Sequence, residues 1–308
     1  MIGVAPGRED GAASAERSFQ SAYARLLTST RFRKAVFSRH GSNVDEFDAQ
    51  VIERLRAMDR DRTSLFAELL VGNRIASISE AFPTTAFLLG SHLTRLARDF
   101  GDESGSTDHR KYPEACAIAA YLVHSLETQR IGPPFAIDVL TYELAKLRLR
   151  YEYRLPLWAQ DVCHSASEFD VALRAHHPVY VHRHPYQTIL SLACDLEKVC
   201  ADVAAARIPR KGVVQSTMLL LHADDQGVLH QEGVNAVTAA FLLLADGRTT
   251  FDSMLNALAT MFAEGGFERR AQLREGALQL CGRLLERGVV GLTFDVRPGP
   301  ASAQVCAP

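Results

Sequence analysis

The chain lacks several features that would place a protein in a membrane or secretory class. It contains no run of ~18 consecutive apolar residues, the length that a transmembrane helix requires. Its opening sequence, MIGVAPGREDGAASAER, has no basic region followed by an apolar core, so it predicts no signal peptide. We therefore expect a cytoplasmic protein.

Closely spaced cysteine pairs are also missing. The six cysteines include no CxxC pair and are Cys116, Cys163, Cys194, Cys200, Cys281 and Cys306. This usage is typical of reduced cytosolic thiols rather than of a disulfide framework. Cys163 beside His164 suggests a nucleophile and a base, but adjacent side chains seldom orient correctly for proton transfer and no third partner is identifiable.

Sequence signatures of catalysis are absent as well. Neither GxSxG nor HExxH occurs, and the segment from Leu70 to Arg74 lacks the spacing of a phosphate-binding loop. We therefore predict no catalytic residues, no metal ligands and no cofactor in this chain. A stand-alone thiol or metal enzyme remains the less favoured alternative.

The composition is that of an ordinary globular protein. With 308 residues, 47% hydrophobic and 23% charged, the chain is long enough for about two domains. Its formal charge is −2, and glutamates alternate with the arginines of the last predicted helix. Mixed charge disfavours binding to duplex DNA, although a winged-helix DNA-binding regulator stays open as an alternative.

The N-terminal half has helical periodicity and no clean alternation of period two. It predicts a bundle in residues 1–155. The predicted helices cover 14–27, 28–40, 44–58, the stretch that ends at Pro83, 84–100, 113–128 and 133–153.

Residues 154–213 carry weaker patterns. They predict a strand from Pro178 to His184 and a short helix from Asp195 to Arg207, and we expect the segment to complete the sheet of the next domain. The density of histidine raises the question of a metal site at His176, His177, His182 and His184. No carboxylate or cysteine joins them at ligand spacing, so a partner surface is favoured over a metal site.

Residues 214–292 have the most informative pattern. An apolar, strand-like run from Ser216 to His222 and a second short strand from Val228 to Gln231 flank a turn sequence and predict a β-hairpin. Three helices follow: the first is capped by Asn235, the second begins near Thr249 or Thr250, and the third covers 268–287. The pattern predicts a small winged-helix module in 156–298, followed by a flexible tail in 299–308.

This order, with a helix that ends in ADGRTTF and a third that ends in LLERGVV, resembles the peptide-recognition domain of ribosomal peptide biosynthesis (the RiPP recognition element), related to the pyrroloquinoline-quinone peptide chaperone. In that family a leader peptide adds a strand to the hairpin edge and packs on the third helix. The resemblance implies a groove lined by Val228, Leu229, His230 and Gln231 of the hairpin and by Arg270, Leu273, Arg274, Ala277 and Leu278 of the helix.

The N-terminal segments LLTSTRFRKAVFS, SLFAELLVGNRIASISEAFPTTAFLLG and PPFAIDVLTYELAKLRLRYEYR resemble the helical domain of partner proteins of multinuclear non-heme iron-dependent oxidative enzymes. Such partners occur in methanobactin and 3-thiaglutamate biosynthesis, and in length and architecture this chain is most similar to the latter. The resemblance implies a non-catalytic subunit in a heterodimer with the enzyme, and it implies that the helical domain in residues 1–155 docks that enzyme. The enzyme would hold the iron and modify a cysteine of the precursor peptide.

The segment RLRYEYR offers candidate residues for contact with that enzyme. Tyrosine and arginine are enriched at protein interfaces, and here they are Arg148, Tyr151, Tyr153 and Arg154. The competing interpretation is a bundle helix that simply ends in solvated charges.

Overall we predict an α+β fold, mostly α, with a helical bundle followed by a small antiparallel sheet and three helices.

Overall fold

The computed structural model describes residues 9–38, 44, 46–104, 111–153, 165–209, 214–224, 226–262 and 267–294. Its helices are α1 Glu9–Thr28, α2 Thr30–Phe37, α3 Ala49–Arg56, α4 Arg60–Ala81, α5 Pro83–Leu89, α6 His92–Ser104, α7 Lys111–Gln129, α8 Ala136–Glu152, α9 Ala166–Arg174, α10 Leu196–Ala204, α11 Ala236–Leu244, α12 Phe251–Phe262 and α13 Phe267–Glu286. Its strands are β1 Val179–Arg183, β2 Gln187–Cys194, β3 Val214–Ala223, β4 Leu229–Gly233, β5 Asp246–Thr250 and β6 Val290–Phe294.

The predicted α+β class, mostly α, is confirmed. No helix in the described part of the chain is both long enough and apolar enough to cross a membrane. Two compact units are present, with bounds Met1–Leu144 plus Leu196–Val213 for the first and Ala145–Asp195 plus Val214–Pro308 for the second. The chain therefore forms part of the second unit, returns to the first for α10, and then enters the second unit again.

The first unit is helical because its apolar residues recur at helical spacing and share buried faces. Leu26 of α1, Val36 of α2 and Leu55 of α3 are fully buried in one cluster. Side-chain caps fix where the helices begin, since Ser29 accepts a bond from the Phe32 N–H and Asp59 accepts from the N–H groups of α4.

A buried carboxylate fixes the start of α5. Glu143 of α8 accepts hydrogen bonds from the Thr84 N–H at 2.8 Å, the Thr85 N–H at 3.1 Å and the Thr85 hydroxyl at 2.7 Å. These amides belong to the first turn of α5, where no intrahelical acceptor is available. The contact ties two helices of the first unit together.

The predicted single helix over 84–100 is wrong. The chain forms α5 and α6 instead, and Gly90 between them has φ of +50°. A residue with that backbone angle cannot continue a right-handed helix, and glycine adopts it most readily. Apolar periodicity continues across the break, which is why the pattern predicts one helix.

The second unit has two three-stranded antiparallel sheets, where the sequence predicts one. The predicted strand near 178–184 is β1, but it pairs with β5 and β6 in the order β5-β1-β6. The hairpin β3–β4 is confirmed and is joined by β2, in the order β2-β3-β4. Residues 154–213 thus contribute one strand to each sheet.

The three predicted helices of this unit are confirmed as α11, α12 and α13. Asn235 caps α11 as predicted, with its side-chain oxygen accepting from the Thr238 N–H at 2.8 Å. Phe241, Phe251 and Leu258 are buried in the core that these helices form with β1 and β6. That core holds α13 in a fixed position relative to the strands of the same unit.

Candidate functional site

The turn of the β3–β4 hairpin is organised by one aspartate. Asp224 Oδ1 accepts from the N–H groups of Gln226 at 2.9 Å and Val228 at 2.8 Å, and its Oδ2 lies 2.7 Å from His230 Nε2. The hydrogen bond to His230, followed by those to the backbone, lowers the pKa of Asp224. Gly227 has φ of +75°, a conformation that favours glycine. The start of β4 is therefore well defined.

Strand β4 lies at one end of its sheet, with β3 on one side and no further strand on the other among the described residues. The Val234 N–H donates to the Met218 carbonyl at 2.9 Å, and the Asp224 N–H donates to the Val228 carbonyl at 3.0 Å. The even-numbered residues of β4 therefore form the main-chain hydrogen bonds to β3. Because hydrogen-bonding direction alternates along an antiparallel strand, the main chain of Leu229 and Gly233 faces the outer edge.

The C-terminal end of α13 is attached to β4. Arg287, directly after the helix, donates to Glu232 Oε2 at 2.5 Å. Helical spacing places Arg283, Leu280 and Leu273 in line with Arg287 on one side of α13. This contact therefore holds the edge strand next to the end of the helix.

A polar cluster lies on the side of this sheet that carries Gln187, His222 and His230 at directly opposed positions. His222 is only 2% exposed, and the rings of His222 and His230 stack with centroids 5.1 Å apart. Neither ring nitrogen of His222 and neither amide atom of Gln187 has a hydrogen-bond partner among the described residues.

Such a group of buried unpartnered polar atoms is unusual, because burial without a hydrogen bond carries a free-energy cost. Burial is the largest cause that lowers the pKa of His222 to about 4, and His230 lowers it further. His222 is therefore neutral at pH 7. Sequence reasoning missed this cluster because β2 was not predicted, and so Gln187 could not be placed opposite His222.

The predicted groove residues of α13 are divided among three environments. Arg270, Leu273 and Arg274 line a cleft of about 470 Å³ beside α12. Leu278 and Arg274 line another, of about 410 Å³, beside α9. Ala277 is buried in the core.

The hairpin residues of the predicted groove lie together on and just before β4. Val228 is exposed, Leu229 is half-buried, and His230 and Gln231 are exposed. Leu273 is the predicted helix residue that lies in line with Arg287, whereas Arg274 forms an ion pair with Asp252 at 3.2 Å. The Glu232–Arg287 pair thus joins β4 to the C-terminal end of α13, whereas Leu273 lines the cleft beside α12.

The predicted docking residues lie at the end of α8 and just after it. Arg148 and Tyr151 are exposed, with Tyr151 47% accessible. The ring of Tyr153 packs against that of Tyr186 with centroids 5.1 Å apart, and it lies over Gly227 of the hairpin turn. Tyr153 therefore supports the hairpin within the second unit. Arg154 lies outside the described residues.

The four histidines of the predicted cluster are dispersed. His182 Nε2 lies 2.7 Å from the Thr293 hydroxyl, and burial lowers the pKa of His182. His184 is buried and accepts from the Tyr186 N–H at 3.1 Å, whereas His176 and His177 line the cleft beside α9. Within the ranges that the structure describes, no group of three or more histidine, cysteine or acidic residues could hold a metal ion.

The described cysteines, Cys116, Cys194, Cys200 and Cys281, differ in burial, and Cys281 is not an activated thiol. Cys194 and Cys281 are buried, and burial raises the pKa of Cys281 to about 12. A thiol with such a pKa is protonated at pH 7 and is a poor nucleophile. Cys163, His164 and Cys306 lie outside the described residues.

No protein-family model and no curated protein matches the chain.

Proposed function

We propose that this chain is a non-catalytic adaptor that binds the leader segment of a ribosomal precursor peptide. The peptide would add a strand to the outer edge of β4, in a winged-helix peptide-recognition module formed by β2-β3-β4 with α11, α12 and α13. The observation that carries the proposal is the exposed edge of β4 beside α13, with the two elements joined by Glu232 and Arg287.

Strand addition gives affinity through main-chain hydrogen bonds and specificity through alternate side chains. The added strand would bond to the outer edge of β4, and Leu273 and Leu280 lie on the side of α13 that carries Arg287. Both leucines are half-buried and have apolar surface left to cover. An extended, partly apolar peptide segment fits this environment better than a rigid duplex does.

The partner, by the resemblance of the sequence, is a multinuclear non-heme iron-dependent oxidative enzyme that modifies a cysteine of the same peptide. An adaptor of this kind raises the local concentration of the reacting residue without supplying a catalytic group. Arg148 and Tyr151, both exposed, remain candidates for the docking contact. This chain would supply neither iron nor a nucleophile.

A pair of substitutions at Gly233 tests the proposed binding edge. A β-carbon at Gly233 would meet nothing within 4 Å, so Gly233→Ala should bind peptide as the wild type does. Gly233→Pro removes the outward N–H and should weaken binding about tenfold or more, since a lost hydrogen bond is worth roughly 1.5 kcal/mol. The measurement is fluorescence anisotropy with the N-terminal segment of the precursor peptide that co-purifies with the protein.

The other outer strand of the same sheet supplies a control. The Ala223 N–H donates to the Tyr186 carbonyl, so the even-numbered residues of β2 form the main-chain hydrogen bonds to β3. The main chain of Ser191, an odd-numbered residue of β2, is therefore directed away from β3. Ser191→Pro should leave the affinity unchanged. Equal affinity of Gly233→Pro and Gly233→Ala, or a loss with Ser191→Pro alone, would remove β4 as the binding edge.

A DNA-binding regulator is the alternative, because α13 and the residue after it carry five arginines. Two of those, Arg274 and Arg287, are paired with Asp252 and Glu232 within the unit. Duplex binding that weakens steeply with salt would favour the regulator, whereas peptide binding of modest salt dependence favours the adaptor.

A further inference from the structure

Helix α4 of the first unit carries a conspicuous apolar surface. Leu65, Phe66 and Leu69 are 62%, 56% and 54% exposed, and they are adjacent on one side of the helix. The opposite side packs inward through Ala67, Val71 and Ile78 among other residues. Contiguous exposed apolar side chains of this size on a folded unit typically mark a contact surface.

The same side of α4 changes character in its C-terminal half, where the residues become small. Gly72, Asn73 and Ala76 are exposed and Ser77 is half-buried. A β-carbon added at Gly72 would meet nothing within 4 Å, so the backbone there is open to close approach by another element. Large side chains thus occupy one half of the surface and small ones the other half.

The large and small halves are related by position about Val71. Phe66 and Ala76 lie equally far from Val71 in opposite directions, as do Leu65 and Ser77, and Leu69 and Asn73. When two copies of α4 lie antiparallel with their midpoints at Val71, each large side chain faces a small one. Such self-complementarity is the property of an interface with two-fold symmetry.

The charges at the two ends of α4 have the same relationship. Arg62 and Glu80 are also equally distant from Val71, and both are highly exposed. In the antiparallel arrangement, Arg62 of each copy faces Glu80 of the other, whereas a parallel arrangement would bring like charges together. Among the described residues, Arg62 forms an ion pair of 3.7 Å with Asp59 and Glu80 forms one of 3.6 Å with Lys111, and both pairs are long.

We propose that the exposed surface of α4 is a self-association site, on which a second copy of this chain docks antiparallel about a two-fold axis near Val71. The inference is independent of peptide binding, because all of its residues belong to the first unit and β4 belongs to the second. A contact centred on one helix buries little area, so the dimer forms reversibly at raised protein concentration.

Sedimentation velocity of the full chain over a wide concentration range tests the site. The wild type shifts from monomer to dimer as its concentration rises. Leu69→Glu keeps it monomeric, whereas Leu243→Glu, at a leucine that is 63% exposed on α11, leaves the dimer intact. Circular dichroism and thermal unfolding confirm that both variants are folded.

Charge reversal identifies the partner as a second copy. Arg62→Glu alone, or Glu80→Arg alone, puts like charges at both ends of the dimer and weakens association by about tenfold. The double variant restores opposite charges and recovers the wild-type dimer. An equimolar mixture of the two single variants forms a mixed dimer, because opposite charges then face each other at both of its ends.

Substitution of Gly72 separates association from folding. Gly72→Met fits the isolated chain and favours the helix, so it raises the melting temperature of the monomer while it weakens the dimer. A wild type that stays monomeric at every concentration overturns the proposal. So does a dimer that survives Leu69→Glu, or failure of the double charge reversal to restore association. Binding of a different protein to α4 of a monomeric chain overturns it equally.

Discussion

At the scale of single residues, His222 is the most informative side chain of the second unit. It is buried with both ring nitrogens unpartnered among the described residues, and its pKa is lowered to about 4. An unfolded chain has an ordinary histidine pKa of about 6.5. Between those two values the unfolded state binds a proton that the folded state does not.

We therefore expect the free energy of unfolding to fall as the pH falls from about 6.5 to about 4, and His222 to account for up to roughly 3 kcal/mol of that fall. His222→Leu should remove this part of the pH dependence. Urea unfolding at pH 7 and at the lower end of this window measures it. Substitution of the exposed His124 by leucine should keep the full dependence.

A pH dependence that is identical in the wild type and in His222→Leu would show that His222 is not the responsible residue. The sequence could not have indicated that His222 is buried without a hydrogen bond. A histidine within an apolar strand has the same spacing whether or not its partner strand supplies a hydrogen bond. Only the pairing of β2 with β3 brings Gln187 opposite His222.

At the scale of secondary-structure elements, helical periodicity predicted most of the helices. Asn235 also indicated where α11 begins, because an asparagine cap acts through contacts within one turn. The strands β2, β5 and β6 were missed. β5 is a five-residue segment, DGRTT, without an apolar pattern, and its pairing with β1 is a contact between residues far apart in sequence.

The candidate site was predictable only where it depends on contacts between residues close in sequence. The hairpin turn is local, so its sequence indicated both β3 and β4. The position of α13 relative to β4 depends on tertiary packing, which is why the implied helix residues include Ala277 of the core as well as Leu273. Helical spacing alone does not distinguish a core-facing side from a groove-facing side.

The junction of α5 and α8 gives a prediction for an element. Glu143→Ala removes the acceptor for two amides and one hydroxyl in the first turn of α5, and it should reduce the free energy of unfolding by roughly 2 kcal/mol or more. Glu143→Gln keeps one carbonyl acceptor and should lose less. Chemical denaturation of both variants measures the difference.

If Glu143→Ala and Glu143→Gln unfold at the same denaturant concentration as the wild type, the buried carboxylate contributes nothing to α5. A loss of similar size at the exposed Glu127 of α7 would show that the effect is one of net charge instead. The buried position of Glu143 and its three short hydrogen bonds argue against that result.

At the scale of the whole molecule, the chain crosses between its two units more than once. Strands β2 and β3 are neighbours in one sheet, yet α10, which lies between them in sequence, belongs to the first unit. The hairpin edge that we propose for peptide binding therefore depends on pairing between separated segments. The first unit carries the α4 surface, so peptide binding and self-association are separable by mutation.

The central claim is that an extended peptide adds to the outer edge of β4, and residue-resolved amide hydrogen exchange by NMR tests it most directly. On addition of the leader peptide, the account predicts slower exchange of the outward amides of Leu229 and Gly233, with no change at Ser191 on β2. Unchanged exchange along β4 in a saturated complex, or protection confined to β2, would contradict it.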